Sequence, residues 1–323
     1  MKTDFGADDF AAFCRANRPA YHANYYAMYS SWWDAITTEP NLMVVPVDDH
    51  MVHRGDGLFE TFKCVDGSVY NLDAHLDRLE GGAKTIALEL PWSREEIRRI
   101  VGDVLRAGGR RDALVRIFAS RGPGGHSANP YECPRPLLMV LAIRLVKPFM
   151  DLHPEGAKVG VSGVPTKEGF FAQVKSVNYL PNVLMKKQAV DAGVDFMLGF
   201  DPDGHMTELP TENFGIVTAD RVLRVPKPGH ILLGTTMLRA MQLAREKLVP
   251  AGILAGVEAA DVPRAELERA AEMLVFGTTP HVTAATEFAG RPVGDGTPGP
   301  VWRELSRIFE EDLKNPAMLT PVL

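Results

Sequence analysis

The chain has 323 residues, 46% of them hydrophobic, and a formal net charge of −6, which allows it to bury the cores of about two domains. An acidic balance with no long basic run lacks the electrostatic footprint of a nucleic-acid binder, and no stretch approaches ~18 consecutive apolar residues, so no membrane span is expected. Cys14, Cys64 and Cys133 are odd in number and widely spaced, and no apolar leader precedes them, so the expectation is a soluble protein of the reducing cytoplasm.

Residues 1–42 read as an aromatic-rich extension. Tyr21, Tyr25, Tyr26, Tyr29, Trp32 and Trp33 fall largely at spacings of three and four, which predicts a helix with one aromatic face. Such a face more often docks on the body or on a partner subunit than lines a pocket. Residues 43–146 read as a small domain of mixed α and β. "LFETFKCV" and "SVYNL" flank the Asp66-Gly67 turn as a hairpin. Leu72, Leu76, Leu79, Ala83 and Ile86 then step as an amphipathic helix with Asp73 as its N-cap. Ser93 and Glu96 form a capping box ahead of Ile97, Ile100, Val101, Val104 and Leu105. The strands "ALVRIFAS" and "LLMVLAIRLV" follow, separated by a Gly/Pro-rich loop. Residues 147–156, with Pro148 and Pro154, read as a linker. Residues 157–323 read as a larger domain of short strands ("KVGVSGV", "FMLGF", "NFGIVT", "VLRVP", "MLVFG", "HVTAA") with helices near 180–192, 235–248, 264–271 and 300–314. The expected fold class is α+β in two domains.

One lysine stands in unusual company. Lys175, in "VKSVNYLPNVL", lies between Val174 and Val177 and reads as the point where a strand gives way to a helix with Pro181 in its first turn. Most lysines are solvated. A desolvated one has a lowered pKa, and its neutral amine attacks an aldehyde to form a Schiff base. No protein side chain supplies an aldehyde, whereas pyridoxal phosphate does. That cofactor demands a phosphate site and an acid for its ring nitrogen. Gly234, Thr235 and Thr236 in "LLGTTMLRAMQL" open a helix where free N–H groups bind anions, although an ordinary threonine cap fits the same residues. Glu208 and Glu212 in "GHMTELPTENF" are candidate acids, and otherwise solvated loop residues.

"VKSVNYLPNVL", "GHMTELPTENFGIV", "LLGTTMLRA" and "VFGTTPHVTAATEFAGRPVGDGTPGPVWREL", in this order and spacing, resemble the class IV (fold type IV) pyridoxal-phosphate aminotransferases. That family includes branched-chain and D-amino-acid aminotransferases and aminodeoxychorismate lyases. The resemblance spans about residues 43 to 318, takes in "HRGDGLFETF" and "NLDAHLDRLEGGAK", and is nearest to plant-type D-amino-acid aminotransferase-like proteins. It implies a smaller N-terminal α/β sandwich, a larger C-terminal mixed β-barrel-like domain with helices, and a homodimer. It also implies pyridoxal 5'-phosphate as cofactor, no metal, and an amino acid and a 2-oxo acid as partners.

By position the resemblance gives Lys175 the Schiff base and the proton shuttle, Glu208 the pyridine nitrogen and Tyr179 the phenolic oxygen. Arg78 in "LDRL" would hold the phosphate with Thr235, Thr236 and Thr278, and Leu232 would pack on the ring. Arg54, Phe59, Arg121, His126 and Thr279 are the substrate-side candidates. Arg54 stands where the family is commonly aromatic, and either anchors a carboxylate or makes a structural ion pair. Phe59 replaces a tyrosine of typical bacterial D-amino-acid enzymes. The chain also departs from the family in lacking an arginine after Thr236 and in having Leu209 and Pro210 after Glu208. The implied activity is amino-group transfer between an amino acid, of D- or branched-chain type, and a 2-oxo acid. The alternatives are elimination from 4-amino-4-deoxychorismate on the same cofactor, giving 4-aminobenzoate and pyruvate, and a non-catalytic cofactor-binding or scaffold protein.

Overall fold

The computed structural model describes residues 1–323. It divides into two compact units, the first comprising Met1–Tyr70, Ile86–Leu145 and Thr320–Leu323, the second Asn71–Thr85 and Val146–Leu319. The division differs from the sequence-based boundaries. Residues 1–42 group with the first unit rather than standing apart, and residues 147–156 group with the second. The helix at 72–85 groups with the second unit, and the last four residues group with the first. No helix is long and apolar enough to cross a membrane.

The first unit opens with helix α1 (Ala7–Ala16) and then forms strands β1 (Tyr25–Ser30) and β2 (Ala35–Thr37). The aromatic stretch is therefore not one α-helix: Tyr21 lies in a 3-10 turn at Ala20–Asn24, and Tyr25, Tyr26 and Tyr29 lie on β1. Tyrosine is a strong strand former, and β1 buries Ala27 and Met28 while pairing with β2 on one side. The turn between them has Asp34 at φ 48°, its carboxylate accepting from the Tyr29 hydroxyl at 3.0 Å. Helix α2 (His50–Arg54) is capped by the Asp49 side chain and ends at Gly55, left-handed at φ 67°. Strands β3 (Gly57–Val65) and β4 (Ser68–Tyr70) form the hairpin expected at Asp66-Gly67, both turn residues having positive φ. After helix α3 (Leu72–Thr85), which belongs to the second unit, the first resumes with α4 (Arg94–Ala107), β5 (Ala113–Ser120) and β6 (Leu137–Ile143). The α3 helix starts at Leu72 after Asn71 at φ 53°, so Asp73 lies inside its first turn rather than capping it. The α4 capping box is present in both directions, Ser93 with Glu96. The sheet runs Leu319–Pro321, β4, β3, β5, β6, β1, β2. Its β1 and β6 strands carry α4, whose Ile97, Ile100, Val101, Val104 and Leu105 are all buried.

The second unit adds α5 (Phe149–Leu152), β7 (Ala157–Val161), α6 (Phe170–Gln173), α7 (Leu180–Ala192), β8 (Phe196–Leu198), β9 (Asn213–Val217) and β10 (Val222–Pro226). Helix α8 (Thr235–Leu243) runs on into a π turn at Ala244–Leu248. Then come β11 (Gly256–Ala260), α9 (Arg264–Leu267), β12 (Glu272–Gly277), β13 (His281–Phe288), β14 (Arg291–Pro292) and α10 (Pro300–Asp312). The sheet order is β11, β10, β9, β12, β13, β7, β8, with β14 beside β13. The sheet is mixed, with β10/β11, β13/β7 and β7/β8 parallel and the central pairs antiparallel. Its core includes Leu198, Phe214, Ile216, Met273 and Val275. Helices α8 and α10 pack on β12 and β13 and on each other. They are joined by a bidentate pair, half-buried Arg239 to buried Asp312 at 2.7 and 2.5 Å.

Candidate active site

The second unit gathers Lys175, Tyr179, Glu208, Leu232, Thr235, Thr236, Thr278 and Arg78. Lys175 lies in an irregular stretch between α6 and α7. The segment before it is one turn of helix, Phe170–Gln173, and not the expected strand. Pro181 sits in the first turn of α7, where its missing N–H costs nothing and its fixed φ starts the helix. That arrangement brings Tyr179, just ahead of α7, back toward the lysine. Lys175 Nζ donates to Tyr179 Oη at 3.3 Å.

Glu208 lies on the returning arm of the turn at Asp203–Gly204, with backbone bonds between Gly199 and Glu208 and between Thr207 and Gly199. One of its carboxylate oxygens accepts from the Leu232 N–H at 3.0 Å. Burial pushes its carboxyl up to about 7, against the opposing pull of that N–H and of the positive charges on Lys167 and Lys175. Glu212 is also raised by burial. The backbone of Leu232 is held at its other end by Asn213, whose side-chain amide donates to the Leu232 carbonyl at 2.7 Å. Asn213 also explains Gly234. A Cβ at 234 would come within 1.9 Å of Asn213 Oδ1, so no other residue fits without moving the asparagine.

Gly234 precedes α8, and the first turn of that helix has no side-chain cap. Its free N–H groups and dipole are therefore available to an anion. Helix α3 lays two side chains on this end. His75 Nε2 is 3.2 Å from the Thr235 hydroxyl, and Arg78 donates to the Leu233 carbonyl at 3.2 Å. Thr278 and Thr279 lie on the turn joining β12 to β13, where Gly277 pairs with His281. His281 has φ 59° and its imidazole meets Glu310 on α10 at 2.6 Å.

The other sequence-based candidates lie in the first unit, and each is engaged within it. Arg54 donates to the backbone carbonyls of His53, His126 and Ser127. Arg121 makes a bidentate pair with Asp56 at 3.0 and 3.1 Å and caps the carbonyls of Ile86 and Ala87. Phe59 stacks on Phe118, and the exposed His126 ring lies 5.0 Å from that of His53.

Three residues of the site were not singled out from the sequence. Asn213 follows Glu212 in "TENF", where its amide could have been read as a loop brace. His75 is three residues ahead of Arg78 on one helix face, a spacing that places both at the same target. Lys167, whose ammonium lies 4.8 Å from the centroid of the Tyr179 ring, carries no sequence signal beyond a Gly/Pro-rich setting.

The residues fit a group that bears a phosphate, a basic ring nitrogen and an aldehyde. Helix α8 offers an uncapped N-terminus beside Arg78, Glu208 offers a carboxyl that holds a proton near neutrality, and Lys175 offers an amine paired with a phenol.

The sequence matches the amino-transferase class IV family over residues 57–288. It is 38% identical over 292 residues to the D-amino-acid transaminase, chloroplastic, of Arabidopsis thaliana, covering 90% of this chain and 77% of that protein. It is 31% identical over 269 residues to a putative branched-chain-amino-acid aminotransferase of Methanocaldococcus jannaschii, covering 83% of this chain and 90% of that one. The T.th. branched-chain amino acid aminotransferase, solved with N-(5'-phosphopyridoxyl)-L-glutamate, superposes with a TM-score of 0.83 at 25% identity, over 93% of this chain and 99% of that one. The matched family, the extent of these relationships and the fold they share show that the chain is a member of the class IV aminotransferases, pyridoxal-phosphate-dependent transaminases of fold type IV.

Proposed function

We propose that the protein transfers the amino group of a D-amino acid to a 2-oxo acid, with Lys175 as its catalytic base and acid. The observation that carries the reading is the convergence of Lys175, Tyr179 and Glu208 beside the uncapped N-terminus of α8. The D-amino-acid preference is supported by the 38% identity to a D-amino-acid transaminase over 90% of the chain. When bound, pyridoxal phosphate supplies an aldehyde carbon for the amine and a ring that takes up the electron pair left by a departing proton.

The chain's own residues supply the rest. The α8 N-terminus, the hydroxyls of Thr235, Thr236 and Thr278, and Arg78 would hold the phosphate, the arginine as a fixed charge. Glu208 would hold a proton shared with the ring nitrogen, a task suited to a carboxyl poised near 7. Leu232, its backbone clamped by Glu208 and Asn213, would pack on the ring. Tyr179 Oη accepts from Lys175 Nζ, which orients the amine and keeps a proton acceptor beside it. As a neutral base Nζ takes the α-proton of the substrate, and as its conjugate acid it gives a proton back. Thr279, on the turn between β12 and β13, is the substrate-side residue of this reading. A homodimer is the assembly it implies, and the three free cysteines support a reducing, cytoplasmic setting.

The test is a half-reaction screen of the purified protein with paired D- and L-amino acids, following the visible absorbance of bound cofactor together with 2-oxo acid release. D-alanine should react faster than L-alanine. Release of no 2-oxo acid from any amino acid would overturn the reading.

A further inference from the structure

Amino acids and 2-oxo acids share a carboxylate, and a site that selects them gains most from a fixed cation that would otherwise stay unpaired. Both arginines considered for that task are already satisfied, Arg121 by Asp56 and two carbonyls, Arg54 by three carbonyls. Lys167 is in the opposite state. It is half-buried, its ammonium makes no hydrogen bond and no ion pair, and it stands 4.8 Å from the centroid of the Tyr179 ring. The same ring has Lys175 Nζ at 5.7 Å from its centroid, so the unpaired cation and the amine that performs the chemistry share one phenol.

A charge removed from water without a counter-ion is unfavourable. Burial accordingly holds the Lys167 ammonium below the usual lysine range, while Glu208 acts through space in the opposite sense. The aromatic contact offsets only part of that cost. The phosphate has its own cradle at α8 with Arg78, so the anion that Lys167 awaits is a different one. We propose that Lys167 is the carboxylate-binding residue of this site, taking the substrate's carboxylate and selecting 2-amino and 2-oxo acids over amines and ketones that lack it. The proposal rests on the transaminase reading, and it names a residue outside the phosphate, ring-nitrogen and lysine positions.

The test uses propionate, a carboxylate that cannot react, titrated by calorimetry into the cofactor-loaded protein. Lys167→Met should weaken propionate binding about ten- to a hundredfold, the range of a lost charge-assisted hydrogen bond. The half-saturating concentration of alanine should rise in parallel. Lys167→Arg, which keeps the charge, should retain most of the affinity and serves as the control if Lys167→Met folds poorly. Propionate affinity within twofold of wild type in Lys167→Met overturns the proposal. So does a loss of pyridoxal phosphate affinity with propionate binding intact, which would give Lys167 to the cofactor instead. A wild type that does not bind propionate also overturns it. Failure of the wild type to transfer any amino group defeats the transaminase reading alone, because the calorimetric comparison does not depend on turnover.

Discussion

Lys175 and Glu208 are the residues whose replacement discriminates best between a working site and a merely similar one. Lys175→Ala should abolish amino-group transfer and the visible absorbance of lysine-bound cofactor while leaving the melting temperature close to wild type, measured by spectrophotometry and thermal melts. Glu208 makes a prediction about stability. Its carboxyl is raised from 4.5 to about 7 in the folded protein, so the folded state binds the proton more tightly than the unfolded chain. Stability from this group is therefore complete below the unfolded pKa and is lost as pH rises through about 7, by at most about 3 kcal/mol. The cofactor-free protein should lose melting temperature relative to Glu208→Gln between pH 4.5 and 7, and an unchanged difference across that range would count against the buried carboxyl. Both residues can be picked out from the sequence as candidates because the chemistry of a Schiff-base amine dictates what must accompany it. Lys167 and Asn213 are not. The first matters through the absence of a partner, and the second through a carbonyl 19 residues away, and neither relation leaves a local pattern.

At the scale of elements, the reliable signals are those with a mechanism in adjacent residues. The Ser93–Glu96 capping box marks the start of α4, and Pro181 marks the first turn of α7. Ser93→Ala should cost about 1 kcal/mol, seen as a lower denaturation midpoint with cofactor affinity unchanged. The aromatic stretch misleads because spacings of three and four among tyrosines suit a helix, while the outcome is set by pairing of β1 with β6, more than a hundred residues later in the chain. The α8 N-terminus is the element on which the site depends most closely. Gly234→Ala drives a methyl group into Asn213 Oδ1 and should displace both the proposed phosphate cradle and the Leu232 clamp. Pyridoxal phosphate affinity, measured by fluorescence titration of the apo protein, should fall at least tenfold, and more than for Arg78→Lys, which keeps a charge at that place.

For the whole molecule, the order of strands and helices in each unit can largely be read from the sequence, but the membership of the units cannot. Which end of a chain returns to which sheet is settled by long-range pairing, and the residues involved, "LTPVL", carry only a weak strand pattern. In the structure Val322 and Leu323 both donate to the Gly67 carbonyl, at 2.9 and 3.2 Å, and Leu319–Pro321 is an edge strand beside β4. Removing residues 320–323 should therefore destabilise the first unit by about 1–3 kcal/mol, the worth of two backbone bonds, read as faster amide exchange in β3 and β4. The same closure has a bearing on biosynthesis. A ribosome delivers Gly67 long before Val322, so the first unit cannot complete its sheet edge until the second unit has been synthesised. Locking of that edge therefore follows synthesis of everything encoded between.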